Sequence, residues 1–188
     1  MKQQPALPNA MRRARKYVFA SFLVATVIIV VGAGSLGCGG YRVNLTPSEP
    51  IGLWRIASMN APPRVGDTLF VCMPDNAMMR EARLRGYLRF GLCAGRTAPL
   101  IKTVAALTGQ FIEVGAEVRI DGRLLAHSRL LAVDGRQRPL TPYAGGELMA
   151  GEVYLHSDFP GSFDSRYFGP LPIKNVLGLA QEVLTYAP

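Results

Sequence analysis

The chain has 188 residues, 49% of them hydrophobic, and a formal net charge of +8. This length suits one domain of ordinary size preceded by a short segment. Five basic residues and no acidic residue precede residue 17, so residues 38–188 are nearly balanced, with 16 basic and 13 acidic groups. Because the excess charge lies on a short tail and not on a folded surface, we expect no nucleic-acid partner.

The N-terminal region combines this basic tail with a long apolar run. Residues 17–37 contain no charged side chain, and about 20 apolar residues are enough to cross a bilayer as a helix. The preceding positive charge predicts a cytoplasmic N-terminus. We therefore expect a cytoplasmic tail at 1–16, a transmembrane anchor at 17–37 and a periplasmic domain at 38–188. A cleaved signal peptide is the alternative, because small residues occupy 32–35.

Three cysteines are compatible with an exported domain. Cys72 and Cys93 would close a loop of about 20 residues, which in the chain-entropy account stabilises a fold by about 3 kcal/mol. The alternative is two small buried thiols. Cys38, at the end of the apolar run, has no evident partner.

The body is predicted to be mainly β. Short β-prone runs occupy Asp67–Met73, Glu152–Ser157 and, around a glycine, Val176–Leu184. Alternating residues flank the Asp121-Gly122 pair, which predicts a two-residue hairpin turn within 117–126. One helix is predicted over 77–85, with Asp75 or Asn76 as its N-cap.

Two residues offer the chemistry of a hydrolase. Ser48 is a hydroxyl in a stiff segment between Pro47 and Pro50. Lys102 stands in an apolar run, and burial would lower its pKa toward that of a neutral amine able to act as a general base. A lysine whose amine reaches solvent at a strand edge is the alternative.

A histidine base would give a different reading of the same serine. A triad of Ser48, His156 and Asp158 is open on the sequence alone, although Asp158 shares a face with His156 only in a regular strand.

The hydroxyl- and acid-rich segment 157–172 completes a pattern of three motifs. The ordered set comprises the apolar span, Asn44–Trp54, Ile101–Val104 and Ser162–Pro170. This set resembles the type I signal peptidase superfamily of serine-lysine peptidases. Its Ser-x-Pro-x-Gly pattern, Ser48 to Gly52, is closest to the conjugative-transfer branch, the TraF pilin-maturation peptidases.

The resemblance implies a role for each matching residue. Ser48 would be the nucleophile and Lys102 the general base, while Thr46 and the Ser48 amide would form the oxyanion hole. Ser162 would orient the lysine, and Asp164 and Arg166 would brace the site. The fold implied is the coiled β-sheet of signal peptidases.

The resemblance also implies the biological setting. It points to an inner-membrane serine endopeptidase whose periplasmic domain processes an exported pilin or another secreted precursor. Its surroundings would be membrane lipid and other conjugative-transfer components. Hydrolysis and cyclisation of the pilin both stay open.

Some residues depart from the general signal peptidases. Glu49 replaces their methionine after the nucleophile, and His156-Ser157-Asp158 stands where Gly-Asp-Asn is frequent. The first departure points toward the conjugative branch, and the second puts the outer wall of the site in doubt. The alternatives are a general signal peptidase and a non-catalytic anchored component of a pilus or secretion assembly. Neither metal-ligand spacing nor a phosphate-binding glycine loop is evident, so we expect no metal and no cofactor.

Overall fold

The computed structural model describes residues 9–186 of the chain. The described residues up to Tyr41 form one compact unit, and those from Arg42 onward form another. The α-helices are α1 (Asn9–Cys38), α2 (Ala77–Leu84) and α3 (Ser165–Phe168). Residues 1–8 of the predicted basic tail and the side chain of Cys38 lie outside the part described.

Helix α1 includes the whole range predicted as an anchor, residues 17–37. Over the residues that the structure describes, however, no helix reaches the combination of length and apolar character needed to cross a bilayer. The transmembrane part of the fold prediction is therefore not confirmed.

The second unit is built mainly of β-strands, as the sequence predicted. The strands are β1 (Tyr41–Asn44), β2 (Ile51–Ala57), β3 (Thr68–Val71), β4 (Phe90–Cys93), β5 (Leu100–Leu107), β6 (Phe111–Val114), β7 (Val118–Ile120), β8 (Arg123–Leu124), β9 (Gly146–Glu147), β10 (Glu152–His156), β11 (Leu171–Pro172) and β12 (Val176–Tyr186). Seven of them form a sheet in the order β1-β2-β12-β3-β5-β10-β11, and four form a smaller sheet in the order β8-β7-β6-β9.

Local sequence signals identified several of these elements correctly. Asp121 and Gly122 both have positive φ, 50° and 75°, and join β7 to β8 as an antiparallel hairpin. Helix α2 begins after Asn76, whose side chain accepts a hydrogen bond from the amide of Met79. The three predicted strand runs correspond to β3, β10 and β12.

Strand β5 is the central element for the candidate site. It lies between β3 and β10, to both of which it pairs antiparallel. Alternation along the strand places Lys102 on the same face as Val104 and Ala106, both 0% exposed. On the other face, Ile101 packs with Trp54 and Phe70 in a separate apolar cluster. Lys102 is therefore carried by an interior strand, which disfavours the strand-edge alternative.

Cys72 and Cys93 are joined by a disulfide, with their Cα atoms 5.5 Å apart. The bridge ties the residue after β3 to the end of β4, across 21 positions of sequence. The pairing considered from the sequence is therefore present in the structure, and the two thiols are not free.

Candidate active site

Ser48 lies in the loop between β1 and β2, which we call the Ser48 loop (residues 45–50). Pro47 and Pro50 cannot donate backbone hydrogen bonds and restrict the backbone of their neighbours. Gly52 follows with φ +142°, and a Cβ there would collide with the carbonyl of Leu184 on β12. The glycine in the Ser-x-Pro-x-Gly pattern is thus required by the close approach of β12 to β2.

The side chain of Asn44 makes most of the hydrogen bonds that shape this loop. Its Nδ2 donates to the carbonyls of Thr46 (3.0 Å), Glu49 (2.9 Å) and Pro50 (3.0 Å). Its Oδ1 accepts from the amide (3.0 Å) and the hydroxyl (2.7 Å) of Thr46. At the end of the loop the indole of Trp54 also donates to the carbonyl of Pro50, at 2.9 Å.

Two cavities meet at Ser48. One, of about 640 Å³, is lined by Ser48 together with Glu49, Thr103, Val104 and His156 among others. The second, of about 140 Å³, is lined by Ser48 with Thr46, Leu100 and Ile101 among others. Ser48 is the residue shared by the two linings, and the β5 residues on either side of Lys102 line one cavity or the other. A polypeptide lying along both cavities would therefore pass the Ser48 hydroxyl.

Lys102 is 2% exposed. Burial lowers the pKa of its amine, while the negative charges of Asp164 and Glu49 oppose that change and Arg166 reinforces it. A lysine with a lowered pKa has a larger neutral fraction at working pH, and the neutral amine is the form that accepts a proton.

Glu49 is an ionisable group directly after Ser48 in the chain. Burial raises its pKa to about 7, against the opposing attraction of Lys102. Repulsion from Asp158, Glu182 and Asp164 adds to the increase. The carboxyl of Glu49 therefore changes charge near neutral pH, within electrostatic reach of Lys102.

Asp164 and Arg166 form a fully buried ion pair, with both side chains 0% exposed. Arg166 donates from Nε and from one terminal nitrogen to the two carboxylate oxygens, each at 2.8 Å. Burial acts to raise the pKa of Asp164, but the neighbouring His156 ring and the Arg166 guanidinium outweigh it and lower that pKa. The structure thus pairs the two residues that the sequence assigned to bracing the site.

Ser157 connects this ion pair to the Ser48 loop. Its amide donates to Asp164 Oδ2 at 3.3 Å, and its hydroxyl donates to the backbone carbonyl of Ser48. Ser157 is 2% exposed. The loop is consequently held from the side of β10 as well as by Asn44.

His156 lines the larger cavity, yet both of its ring nitrogens face oxygen atoms of other residues. Nε2 lies 3.2 Å from the carbonyl of Ala126 and 3.7 Å from Asp158, and Nδ1 lies 3.5 Å from Asp164. A histidine base needs a nitrogen lone pair directed at the serine hydroxyl. This arrangement disfavours the alternative triad of Ser48, His156 and Asp158.

The predicted oxyanion and orienting hydroxyls occupy different surroundings. Thr46 Oγ1 lies 3.5 Å from Ser48 Oγ, but its single proton is donated to Asn44. The Ser48 amide has no acceptor among the described residues, as an oxyanion donor requires. Ser162 Oγ is buried without a hydrogen-bond partner, and Ser162 lines a different cavity, of about 310 Å³, with Tyr87 and Phe163 among others. The assignment of Ser162 to the lysine stays a prediction.

Comparison with known proteins matches residues 14–185 to the family described as "Signal peptidase, peptidase S26". The chain belongs to the peptidase S26 family of signal peptidases. It is 52% identical over 177 residues to the "Probable conjugal transfer protein TraF" of Sinorhizobium fredii, covering 94% of each chain. It is 50% identical over 168 residues to the "Conjugal transfer protein TraF" of Agrobacterium fabrum, covering 89% of this chain and 96% of the relative.

A more distant relative, the "Plasmid transfer protein TraF" of Escherichia coli, is 36% identical over 180 residues and covers 93% of this chain. The sequence prediction of the superfamily and of its TraF branch is confirmed. As a member of the S26 family the chain is a serine peptidase of the signal-peptidase type. Within the residues described, no group of three or more histidine, cysteine or acidic side chains is arranged to hold a metal ion.

Asn44 and Ser157 belong to this site but were not predicted from the sequence. Asn44 begins the Asn44–Trp54 motif, and its one local signal is the Asn-x-Thr spacing, which permits a side-chain turn onto Thr46. Ser157 contacts Ser48 across 109 positions of sequence, and no local pattern predicts such a contact.

Replacing Asp164 by Asn should strongly destabilise the second unit, because Arg166 would keep its buried charge without a counter-charge. Breaking a buried ion pair from one side costs about 3–5 kcal/mol, measurable by urea unfolding at pH 7. Asp75→Asn is the matched control, because the Asp75–Arg80 pair is 50% and 57% exposed and such pairs contribute at most about 1 kcal/mol.

The destabilisation should also depend on pH. Because the folded pKa of Asp164 lies below its ordinary 3.8, its stabilisation is present above that value and lost as pH falls through the folded pKa. The difference between wild type and Asp164→Asn should therefore shrink in strong acid. Equal stability of the two proteins at pH 7 would contradict a bracing role.

Replacing Glu49 by Gln should move the acidic limb of the kcat/KM profile to lower pH. The ionised carboxylate raises the pKa of Lys102, so its removal enlarges the neutral fraction of the lysine at a given pH. The measurement is kcat/KM from about pH 5 to 10. Glu113→Gln, on the exposed side of β6, should leave the limb in place. If the acidic limb of Glu49→Gln stays in place or moves to higher pH, the carboxylate of Glu49 does not raise the pKa of Lys102.

Proposed function

We propose that this chain is a serine endopeptidase that uses Ser48 as nucleophile and Lys102 as general base to process an exported pilin precursor in conjugative transfer. The observation that carries the proposal is the buried amine of Lys102, with its lowered pKa, on the strand whose neighbouring residues line both cavities at Ser48. The naming of the relatives as transfer proteins supports the conjugative setting.

The chemistry begins with proton transfer. Neutral Lys102 takes the proton of Ser48 Oγ as the oxygen attacks the scissile carbonyl. The amide of Ser48 stabilises the oxyanion. Thr46, the second oxyanion residue that the family resemblance implies, donates its own proton to Asn44 in this structure. The ammonium of Lys102 then gives its proton to the leaving amine, and an acyl-enzyme remains.

Two acceptors complete the reaction. Water releases a linear product and regenerates Ser48, with Lys102 again accepting a proton. An amine of the substrate would instead give a new amide, so attack by the substrate's own N-terminus yields a cyclic subunit.

The decisive experiment compares wild type, Ser48→Ala and Lys102→Arg on a full-length pilin precursor, with products weighed by mass spectrometry. Both variants should lose about 1000-fold or more of kcat/KM. Ser48→Ala removes the attacking hydroxyl, and Lys102→Arg introduces a guanidinium that stays protonated and cannot act as a base. Ser58→Ala and Lys174→Arg are the matched controls and should cleave normally.

The product masses separate the outcomes. A cyclic product is one water lighter than the linear one. Turnover by Ser48→Ala would overturn the nucleophile assignment, and turnover by Lys102→Arg would overturn the base. Cleavage of many unrelated preproteins but not of the pilin would favour the general signal peptidase. No serine-dependent cleavage of any precursor would favour the non-catalytic alternative.

We further propose that the chain resides at the bacterial inner membrane with its N-terminus in the cytoplasm and residues 38–188 in the periplasm. The basic-then-apolar order of the N-terminal region and the Cys72–Cys93 disulfide support this location, because disulfides persist in oxidising compartments.

Trapping thiols in intact cells tests this location. In the full chain, Cys72 and Cys93 should resist alkylation until a reductant is added. A chain that begins at residue 38 and stays in the cytoplasm should react at both cysteines without reductant. Free thiols at both positions in the full chain would contradict the periplasmic placement.

A further inference from the structure

Side chains donate hydrogen bonds to most of the backbone carbonyl groups of the Ser48 loop. Four of its backbone carbonyls, those of Thr46, Ser48, Glu49 and Pro50, accept hydrogen bonds from side chains. A loop of this kind lacks the ladder bonds of a strand, so these side chains determine where Ser48 stands.

Asn44 donates to three of those four carbonyls from one amide group, and the carbonyl of Pro50 also accepts from the Trp54 indole. The orientation of that amide is fixed by chemistry: the amide of Thr46 donates only, so the atom 3.0 Å from it is the Asn44 oxygen. The two N–H bonds of Nδ2 are then shared among three carbonyls. A carboxylate or an aliphatic side chain at this position would satisfy none of them.

Asn44 also determines the direction of the hydroxyl series that ends at the nucleophile. Thr46 donates its proton to Asn44 Oδ1 at 2.7 Å, which leaves a lone pair of Thr46 Oγ1 facing Ser48 Oγ at 3.5 Å. The Thr46 rotamer, and with it the space beside Ser48, therefore depends on Asn44.

The burial of Asn44 and its place at the end of a strand support a role in positioning the loop. The residue is 9% exposed and lies at the end of β1, so its geometry is held by the sheet. A rigid element that holds a catalytic group through buried hydrogen bonds is what precise placement requires.

We propose that Asn44 is a positioning residue, which fixes the Ser48 loop and acts as a unit with Thr46 to set the reactivity of Ser48. The inference rests on the proposed role of Ser48 as nucleophile. Asn44 also lines the smaller cavity, but in the proposed reaction it neither gives nor takes a proton and acts through Thr46 and the loop backbone.

The test is a double-mutant cycle on cleavage of a peptide spanning the precursor's processing site. The proteins are wild type, Asn44→Ala, Thr46→Val and the double variant, with kcat and KM measured separately. Asn44→Ala should lower kcat about 10- to 100-fold, the range typical of a misplaced catalytic group, with KM changed less than about threefold. Thr46→Val should have a much smaller effect in the Asn44→Ala background than in wild type. The Asn44→Ala substitution has already disrupted the unit that Asn44 and Thr46 form, so little remains for the second substitution to remove.

Two further variants keep the result interpretable. Asn44→Ser retains an acceptor for the turn but cannot reach the three carbonyls, so it should fold and lose kcat as Asn44→Ala does. Asn175→Ala is the matched control: it removes an amide that donates to the carbonyl of Cys72 at 2.8 Å, away from Ser48, and should keep the wild-type kcat.

The outcomes separate this inference from the proposed function. Wild-type kcat in a folded Asn44→Ser, or losses in Asn44→Ala and Thr46→Val that simply multiply, would overturn the role of Asn44 while leaving Ser48 in place. Ser48→Ala, run in the same assay, tests the nucleophile independently. Turnover by Ser48→Ala would overturn the proposed function itself.

Discussion

The buried ion pair of Asp164 and Arg166 is the interaction on which the site depends. Two charges that are both 0% exposed are stable only when they satisfy each other, and here the guanidinium also donates to the carbonyls of Arg129, Phe159 and Ser162. The pair has a second effect on Lys102. Asp164 raises the pKa of the lysine and Arg166 lowers it, so the two partly cancel. Desolvation is left as the dominant influence, and it favours the neutral amine that a general base must be.

The same pair is connected to Ser48 through Ser157. Asp164 accepts a hydrogen bond from the amide of Ser157, and the hydroxyl of Ser157 donates to the Ser48 carbonyl. Asn44 donates to three other carbonyls of the loop. The prolines of the loop lack N–H groups, and the Ser48 amide is a donor without an acceptor among the described residues. A preorganised donor of this kind needs no rearrangement when negative charge develops on a substrate oxygen.

The sequence predicted the features that arise from neighbouring residues. The Asp121-Gly122 hairpin and the Asn76 cap follow from the conformational preferences of those residues, and Lys102 was singled out because apolar residues surround it in the chain. Family resemblance gave the pairing of Asp164 with Arg166. The resemblance did not indicate the contacts that depend on the order of the strands in the sheet. Strand β12 lies between β2 and β3, which places Leu184 against Gly52. Strand β10 lies beside β5, which places Ser157 against Ser48. These contacts join residues more than 100 positions apart, so no local periodicity indicates them. Asn44 is a different case: its three acceptors lie only two, five and six positions further along the chain, but they converge on one amide group only when the loop has folded.

Glu49 and Lys102 together determine how the charge of this site changes with pH. A buried carboxyl alone favours its neutral form, and a buried amine alone favours its neutral form. Placed within electrostatic reach of each other, as Glu49 and Lys102 are, they have two arrangements of one proton: a neutral pair or an ion pair. Only the neutral pair contains a free amine, which is the form that the proposed general base requires. Glu49, the residue directly after Ser48, therefore influences whether Lys102 is free to accept a proton. The titration of the proposed base is a property of both residues together, because in this exchange the proton that Glu49 loses is the one that Lys102 gains.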